Sequence, residues 1–388
     1  MSTRLLLSCG EASGDLYAGA LTRELLALDP TVTVSGLGGA HFAAAGGRLI
    51  EDYRGLAVTG LTEWIAKVPR LLTAMNRLEA AARSERPAAV VVIDFPDFNF
   101  RLARRMKKLA VPVVYYISPQ IWAWRPKRLA TIKAIADRVL VIFPFEEAIY
   151  RNGGVPVEFV GHPLLDVKTA TVPREQFLAA HGLSASKPTV AILPGSRDSE
   201  VSRILPDLLA AADRIHTAVP DAQFVIARAP HLDNALFSAV SAPDASVRFI
   251  VVEERTDDVL GAADVALTAS GTATVQAAMH DTPMVIVYRV SPVTYALGRR
   301  LVTVDTIGMV NLIAGERIVP EFVQEAFTPD AVAGEAIAML TDRQRAATIR
   351  AGLARVRARL GGPGASRRAA ESILQVARSR QSLDRGAR

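Results

Sequence analysis

Asp94 and Asp97 stand in Ile93-Asp94-Phe95-Pro96-Asp97-Phe98-Asn99-Phe100, directly after an apolar run. A carboxylate at a strand end beside aromatic side chains is partly desolvated, and desolvation makes it a better general base. Asp97 ahead of a helix over 98–109 fits an N-cap equally well, so both readings stand on pattern alone. Three other segments share one design, an apolar run followed by a turn of small residues and then a helix. They are Cys9-Gly10-Glu11-Ala12-Ser13-Gly14-Asp15, Pro194-Gly195-Ser196-Arg197 and Ala269-Ser270-Gly271-Thr272-Ala273-Thr274. Turns of this kind aim free N–H groups at anions, and a guanidinium grips phosphate in a fork. Arg197 with the two later turns therefore suits a diphosphate. Helix capping and a solvated loop charge are the plainer alternatives, and Ser13 or Asp15 is eligible as a cap. No G-x-G-x-x-G or P-loop pattern accompanies these turns, which weighs against a dinucleotide or ATP site.

Two stretches combine aromatic and basic residues. Tyr115 to Arg128 contains Trp122, Trp124 and Arg125. Indoles stack on sugars or cover acyl chains while arginines meet phosphate, although an aromatic core cluster reads the same way. Leu61, Trp64, Ile65, Val68, Leu71, Leu72 and Met75 fall on one helical stripe, with Lys67, Arg70 and Arg77 off it. A basic amphipathic helix with a Trp suits a membrane surface, and such helices also pack on their own sheet. The cluster Arg101, Arg104, Arg105, Lys107 and Lys108 favours the membrane. No metal site stands out. The six histidines are scattered, no Asp-x-Asp occurs, and His162 in Gly161-His162-Pro163 reads as structural.

The elements that must position these residues form a regular series. Strands are expected at 4–9, 32–37, 89–93, 111–117 and 138–143, then at 189–193, 223–227, 247–251, 264–268 and 284–287. Most are continuous apolar runs, as in parallel sheets covered on both faces, and helical spacing fills the gaps between them. The series predicts an α/β fold of two doubly wound parallel sheets with a cleft between them, where ligands lie beyond the carboxyl ends of strands. The expected domains are 1–168, 169–340 and a basic helical tail over 341–388 that crosses back to the first.

Half of the 388 residues are hydrophobic, which suits a large core, and the net charge is +6. That charge is uneven: +5 over 1–168, −8 over 169–340 and +9 over 341–388. The acidic middle argues against a general polyanion binder such as a nucleic-acid-binding protein. One cysteine, Cys9, excludes an internal disulfide and points to a reducing compartment.

Collinear motifs then carry a resemblance. Gly10-Glu11-Ala12-Ser13-Gly14-Asp15, Pro96-Asp97-Phe98-Asn99, Ser118-Pro119-Gln120-Ile121-Trp122-Ala123-Trp124-Arg125, Gly161-His162-Pro163, Leu193-Pro194-Gly195-Ser196-Arg197, Ser270-Gly271-Thr272-Ala273 and Asn311-Leu312-Ile313-Ala314-Gly315 occur in the order and spacing of one family. From end to end the chain resembles the lipid-A-disaccharide synthase family. The resemblance implies a GT-B inverting glycosyltransferase of two Rossmann-like domains, with no metal and no cofactor. Its donor would be UDP-2,3-diacylglucosamine and its acceptor 2,3-diacylglucosamine 1-phosphate, joined through a β-1,6 bond. It implies Asp97 as general base and Arg197, Ser270, Gly271, Thr272, Gln276 and Asn311 around the UDP-sugar. Glu11, Ser13, Trp122 and Arg125 would line the acceptor side. Trp64, Val68, Leu71 and Leu72 would meet an anionic membrane, at the inner face of the cytoplasmic membrane, and a homodimer is compatible with the family. Two departures stand out: Gln276 replaces the family's usual Glu, and Val310 replaces its usual Pro. A rival is a UDP-N-acetylglucosamine 2-epimerase, which needs no acyl-binding stripe. A catalytically silent nucleotide-sugar-binding module is the other, prompted by Gln276.

Overall fold

The computed structural model describes residues 3–54, 56, 61–119, 128–167, 172–230, 232–241, 247–290 and 306–386. The chain divides into two compact units, Met1–Val167 with Leu360–Arg388, and Lys168–Arg359. In the first unit the strands are β1 (Arg4–Cys9), β2 (Thr33–Gly38), β3 (Arg48–Asp52), β4 (Ala89–Ile93), β5 (Val113–Tyr116), β6 (Arg138–Val141) and β7 (Val157–Phe159). They form a parallel sheet in the order β3-β2-β1-β4-β5-β6-β7. The second unit has β8 (Thr189–Leu193), β9 (Gln223–Arg228), β10 (Phe249–Glu253), β11 (Val265–Ala269), β12 (Met284–Tyr288) and β13 (Glu321–Val323). Its parallel order, β10-β9-β8-β11-β12-β13, repeats the same winding.

Central strands such as Ala-Val-Val-Val-Ile at β4 and Thr-Val-Ala-Ile-Leu at β8 are buried throughout, because helices cover both faces. Leu6, Val90, Val92 and Tyr115 share a core with Met75, Leu78, Leu102 and Met106 from two flanking helices. Three strands escaped the sequence reading: β3, β7 and β13. Each is short, lies at a sheet edge and is only partly buried, so none needs a continuous apolar run. The edge strand β10 also sits two residues beyond its expected place.

Each sheet reverses its strand order once, between β1 and β4 and between β8 and β11. Cys9 is level with Ile93, and Thr268 with Leu193. The four chemistry-bearing turns singled out above therefore leave the carboxyl ends of two pairs of adjacent strands. These are the switch points at which doubly wound sheets bind ligands.

The last 48 residues do not act as one piece. The Arg343–Arg359 helix counts with the second unit, where Arg357 pairs with Asp281 and Arg359 donates to the carbonyls of Ile313 and Ala314. The chain enters the first unit from Leu360, whose carbonyl accepts from His162 N at 2.9 Å. Asp166 then caps the Ala365–Gly386 helix by accepting from Gly364 N at 2.6 Å and Ser366 N at 2.7 Å. Arg368 fixes the same corner through Val160 O at 2.8 Å.

His162 is buried against Tyr17 and Phe143, and its Nδ1 accepts from Leu164 N. Burial pushes its pKa down to about 3, so the folded protein keeps the ring neutral. The unfolded chain takes up a proton below about pH 6.5 that the folded chain refuses, so acid costs stability there. His162→Asn, which keeps an acceptor for Leu164, is expected to remove about 1.4 kcal/mol per pH unit from the stability slope between pH 6 and 4. Urea unfolding across that range measures it.

Candidate active site

The β4 turn is built under strain. Asp94 and Phe95 both have left-handed backbone, at φ 43° and 48°, which costs non-glycine residues about 1–2 kcal/mol each. Asn99, fully buried one turn into the following helix, holds it in place. Its Nδ2 donates to Asp94 O at 2.7 Å and Ile93 O at 3.1 Å, and its Oδ1 accepts from Ser8 Oγ at 2.7 Å. Tyr115 Oη adds a bond to Asp94 O at 3.0 Å. The Phe95 ring stacks on Phe98 and lies where a β-carbon at Gly10 would be, 2.2 Å away, so Gly10 admits the ring. The two turns of this switch point are thus one packed unit. Burial, and secondarily the Asp94 carboxylate, holds the hydroxyls of Tyr17 and Tyr115 well above the usual phenol range.

Asp97 is not a cap. The Pro96–Lys108 helix is capped by Phe95, and Asp97 is its second residue. Its side chain is 76% exposed, so the expected desolvation does not occur. Instead Oδ1 accepts from Arg128 Nη2 at 3.0 Å, and Arg128 lies over the Phe100 ring at 5.1 Å. Glu11 and Ser13 are half-buried in the neighbouring turn. Asp15 caps a different helix from the one it starts, accepting from Gly39, His41 and Phe42 N–H groups at 2.7–3.1 Å. Trp122 and Arg125 lie outside the described residues.

In the second unit Arg197 occupies the position just before the Asp198–Ala218 helix and donates to Glu200 Oε1 at 3.1 Å. Glu200 Oε2 accepts from Ser196 N at 3.2 Å. A β-carbon at Gly195 would fall 2.9 Å from Glu200, and Gly195 has φ 125°, so this turn requires glycine. Tyr288 follows at the end of β12; burial, then Glu200, raises its pKa, and Arg197 opposes them. Ser270 N donates to Val287 O, and Ser270 Oγ to Ile307 O. Gly271 and Thr272 are exposed at the start of the Thr272–Met279 helix, with Gln276 half-buried one turn on. Arg197 and Ser270–Thr272 thus share the carboxyl end of adjacent strands, where N–H groups and a guanidinium suit phosphate.

Asn311 is held inside the fold. It is 1% exposed, and its amide is spent on the fold: Nδ2 donates to Val319 O and Glu321 Oε1, and Oδ1 accepts from Ile318 N and Val319 N. Glu321 also accepts from Ile307 N and Gly308 N, so this pair holds the segment that receives Ser270. Among the site's supports, Asn99, Glu200, Tyr288 and Glu321 were not assigned roles from sequence. Glu200 carries a local signal, a Glu in the first turn of a helix, and Asn99 stands in one of the family's motifs.

The membrane stripe also divides. Met75 is core, Leu71 packs against that core, Val68 is half-buried and Leu72 is 44% exposed. Trp64 belongs to the same Leu61–Glu85 helix, but its side chain lies outside the described residues. Among the described residues, no helix is long and apolar enough to cross a membrane.

Asn311→Ala is expected to lower stability by about 2–4 kcal/mol, since it orphans several buried groups. Urea unfolding at fixed temperature measures it; a stable variant with weakened UDP binding would make Asn311 a ligand contact instead.

Comparison with known proteins agrees with these motifs. The family model "Lipid-A-disaccharide synthetase" matches residues 5–376. The lipid-A-disaccharide synthase of Anaeromyxobacter dehalogenans strain 2CP-1 is 43% identical over 97% of this chain and 98% of its own. Among solved structures, the UDP-GlcNAc 2-epimerase from Neisseria meningitidis bound to UDP-GlcNAc has a TM-score of 0.67 at 12% identity, covering 96% of this chain and 100% of its own. The glycotransferase of kitacinnamycin has a TM-score of 0.65 at 17% identity, covering 97% and 98%. The structural likenesses speak for the fold, and the sequence match for the family: this chain belongs to the lipid-A-disaccharide synthase family and is a glycosyltransferase of GT-B fold.

Proposed function

We propose that the protein moves 2,3-diacylglucosamine from UDP to the 6-hydroxyl of 2,3-diacylglucosamine 1-phosphate. The product is the β-1,6-linked disaccharide 1-phosphate, formed with inversion, and UDP leaves. The observation that carries this reading is the exposed Asp97 carboxylate, held by Arg128 at the carboxyl end of β4 in a chain of this family.

Asp97 takes the proton of the acceptor hydroxyl as that oxygen attacks the anomeric carbon. The bond from the anomeric carbon to the UDP phosphate breaks, and its electron pair goes to the diphosphate. Asp97 is largely exposed, so its contribution rests on position: a carboxylate fixed by one guanidinium through Oδ1, with Oδ2 turned to the hydroxyl. Arg197, Ser270, Gly271 and Thr272 receive the charge that develops on the leaving diphosphate. Glu200 presets the Arg197 guanidinium, so little reorganisation is needed at that moment. The sequence has no Asp-x-Asp with which to hold a metal-bound nucleotide, and this set of fixed donors suits a metal-free departure. Gln276 bonds the ribose as an amide. The acyl chains favour work at the inner face of the cytoplasmic membrane, with the Val68 and Leu72 side of the Leu61–Glu85 helix against lipid.

Asp97→Asn is expected to lower kcat by about 10²–10⁴-fold while UDP affinity is kept. Measured together, turnover and UDP binding separate a catalytic loss from a structural one; parallel loss of both would contradict the assignment. Gln276→Glu is expected to tighten UDP binding, by about tenfold, through a charge-assisted bond to ribose. A calorimetric titration reads this directly. Val68→Ser with Leu72→Ser is expected to reduce sedimentation with anionic vesicles, and an unchanged sedimented fraction would remove that helix from the membrane contact.

A further inference from the structure

Asp97, Arg101 and Arg104 occupy positions i, i+4 and i+7 of the Pro96–Lys108 helix, a spacing that puts them on one face. Long helical side chains lean toward the N-terminus, so both arginines lean toward Asp97. Arg128 arrives from the Arg128–Ile135 helix. With Phe100 and Thr131, these residues line a pocket of about 160 Å³. Three guanidiniums and one carboxylate line it.

Two of the other basic residues of this helix have structural work. Arg105 bonds Glu79 and Asn76, and Lys107 pairs with Asp137. Arg104 differs: it is exposed and has no hydrogen bond or ion pair among the described residues. A guanidinium left without an acid in a pocket that already holds two others is placed for an external anion.

Its position along the helix says which anion. A hexopyranose carries its 6-hydroxyl on the arm at C5 and its anomeric substituent on C1, the two carbons that flank the ring oxygen, so the two groups lie side by side and several ångströms apart. With the hydroxyl at Asp97, an anomeric phosphate falls one to two helical turns along, about 5–11 Å by helix pitch, beside Arg101 and Arg104. We propose that this pocket is the subsite for the phosphomonoester of the acceptor sugar, with Arg104 as its main specificity residue. The proposal rests on Asp97 acting as the base that receives the acceptor hydroxyl. It separates Arg104 from general membrane attraction, which the same cluster would otherwise suggest.

Steady-state kinetics on the full chain tests it, with the diacylglucosamine 1-phosphate acceptor and the same lipid lacking its phosphate. The wild type is expected to prefer the phosphorylated acceptor. Arg104→Ala is expected to raise KM for that acceptor about tenfold or more, to leave kcat/KM for the dephosphorylated one unchanged, and so to lose the preference. Arg104→Lys is expected to recover part of it, and UDP affinity is expected to be equal in all three proteins. Equal losses on both acceptors, or an unchanged KM, would overturn the proposal. Reduced binding to phosphatidylglycerol vesicles with acceptor preference intact would assign the pocket to lipid headgroups and overturn it as well. A wild type that forms no disaccharide from either acceptor would remove the glycosyl-transfer reading and the proposal with it. Failure confined to the phosphate preference would remove the proposal alone.

Discussion

The Asn99 side chain ties together three parts of the first unit at one switch point. It joins β1 through Ser8, the end of β4 through Ile93, and the strained turn through Asp94, from within the helix that the turn begins. Two consecutive left-handed, non-glycine residues do not persist without such a restraint. Because the turn is only two residues long, its conformation sets where the helix starts and where its second residue, Asp97, points. Gly10 completes the arrangement by admitting the Phe95 ring between the two turns. The strain is thus localised beside the carboxylate whose direction matters most.

Carboxylates perform the corresponding work elsewhere. Asp15, Asp166, Glu200 and Glu321 each accept from backbone N–H groups of a loop or helix start that would otherwise lack partners. This changes the meaning of the acidic middle of the chain. Glu200 and Glu321 there are part of the scaffold of the turns at which β8, β11 and β12 end, and they leave the guanidinium and N–H donors of those turns fixed in place. A diphosphate meeting Arg197 meets a side chain whose geometry is already set.

The sequence made the central strands plain, because a strand buried on both faces must be apolar throughout; β1, β4 and β8 show this. The edges β3, β7 and β13 were illegible for the same reason, as one side of each faces solvent. The four turns were recognisable by their small residues and their place after strands. Their internal wiring was not, because which N–H group an acid reaches depends on neighbours distant in sequence. Asn311 illustrates this: its motif gives no sign that its side-chain bonds go to residues 318–321. Asp97 shows the converse. Its exposure and its pairing with Arg128, thirty-one residues on, could not be read from a run of aromatic neighbours.

Glycosyl transfer is the activity on which every assigned role depends, and one stoichiometric measurement addresses it. The full chain is mixed with UDP-2,3-diacylglucosamine and 2,3-diacylglucosamine 1-phosphate, and released UDP and disaccharide are quantified in the same samples. The account expects the two products to rise together in a one-to-one ratio and neither to form when the acceptor is omitted. UDP release without disaccharide, or no release at all with both substrates present, would contradict it.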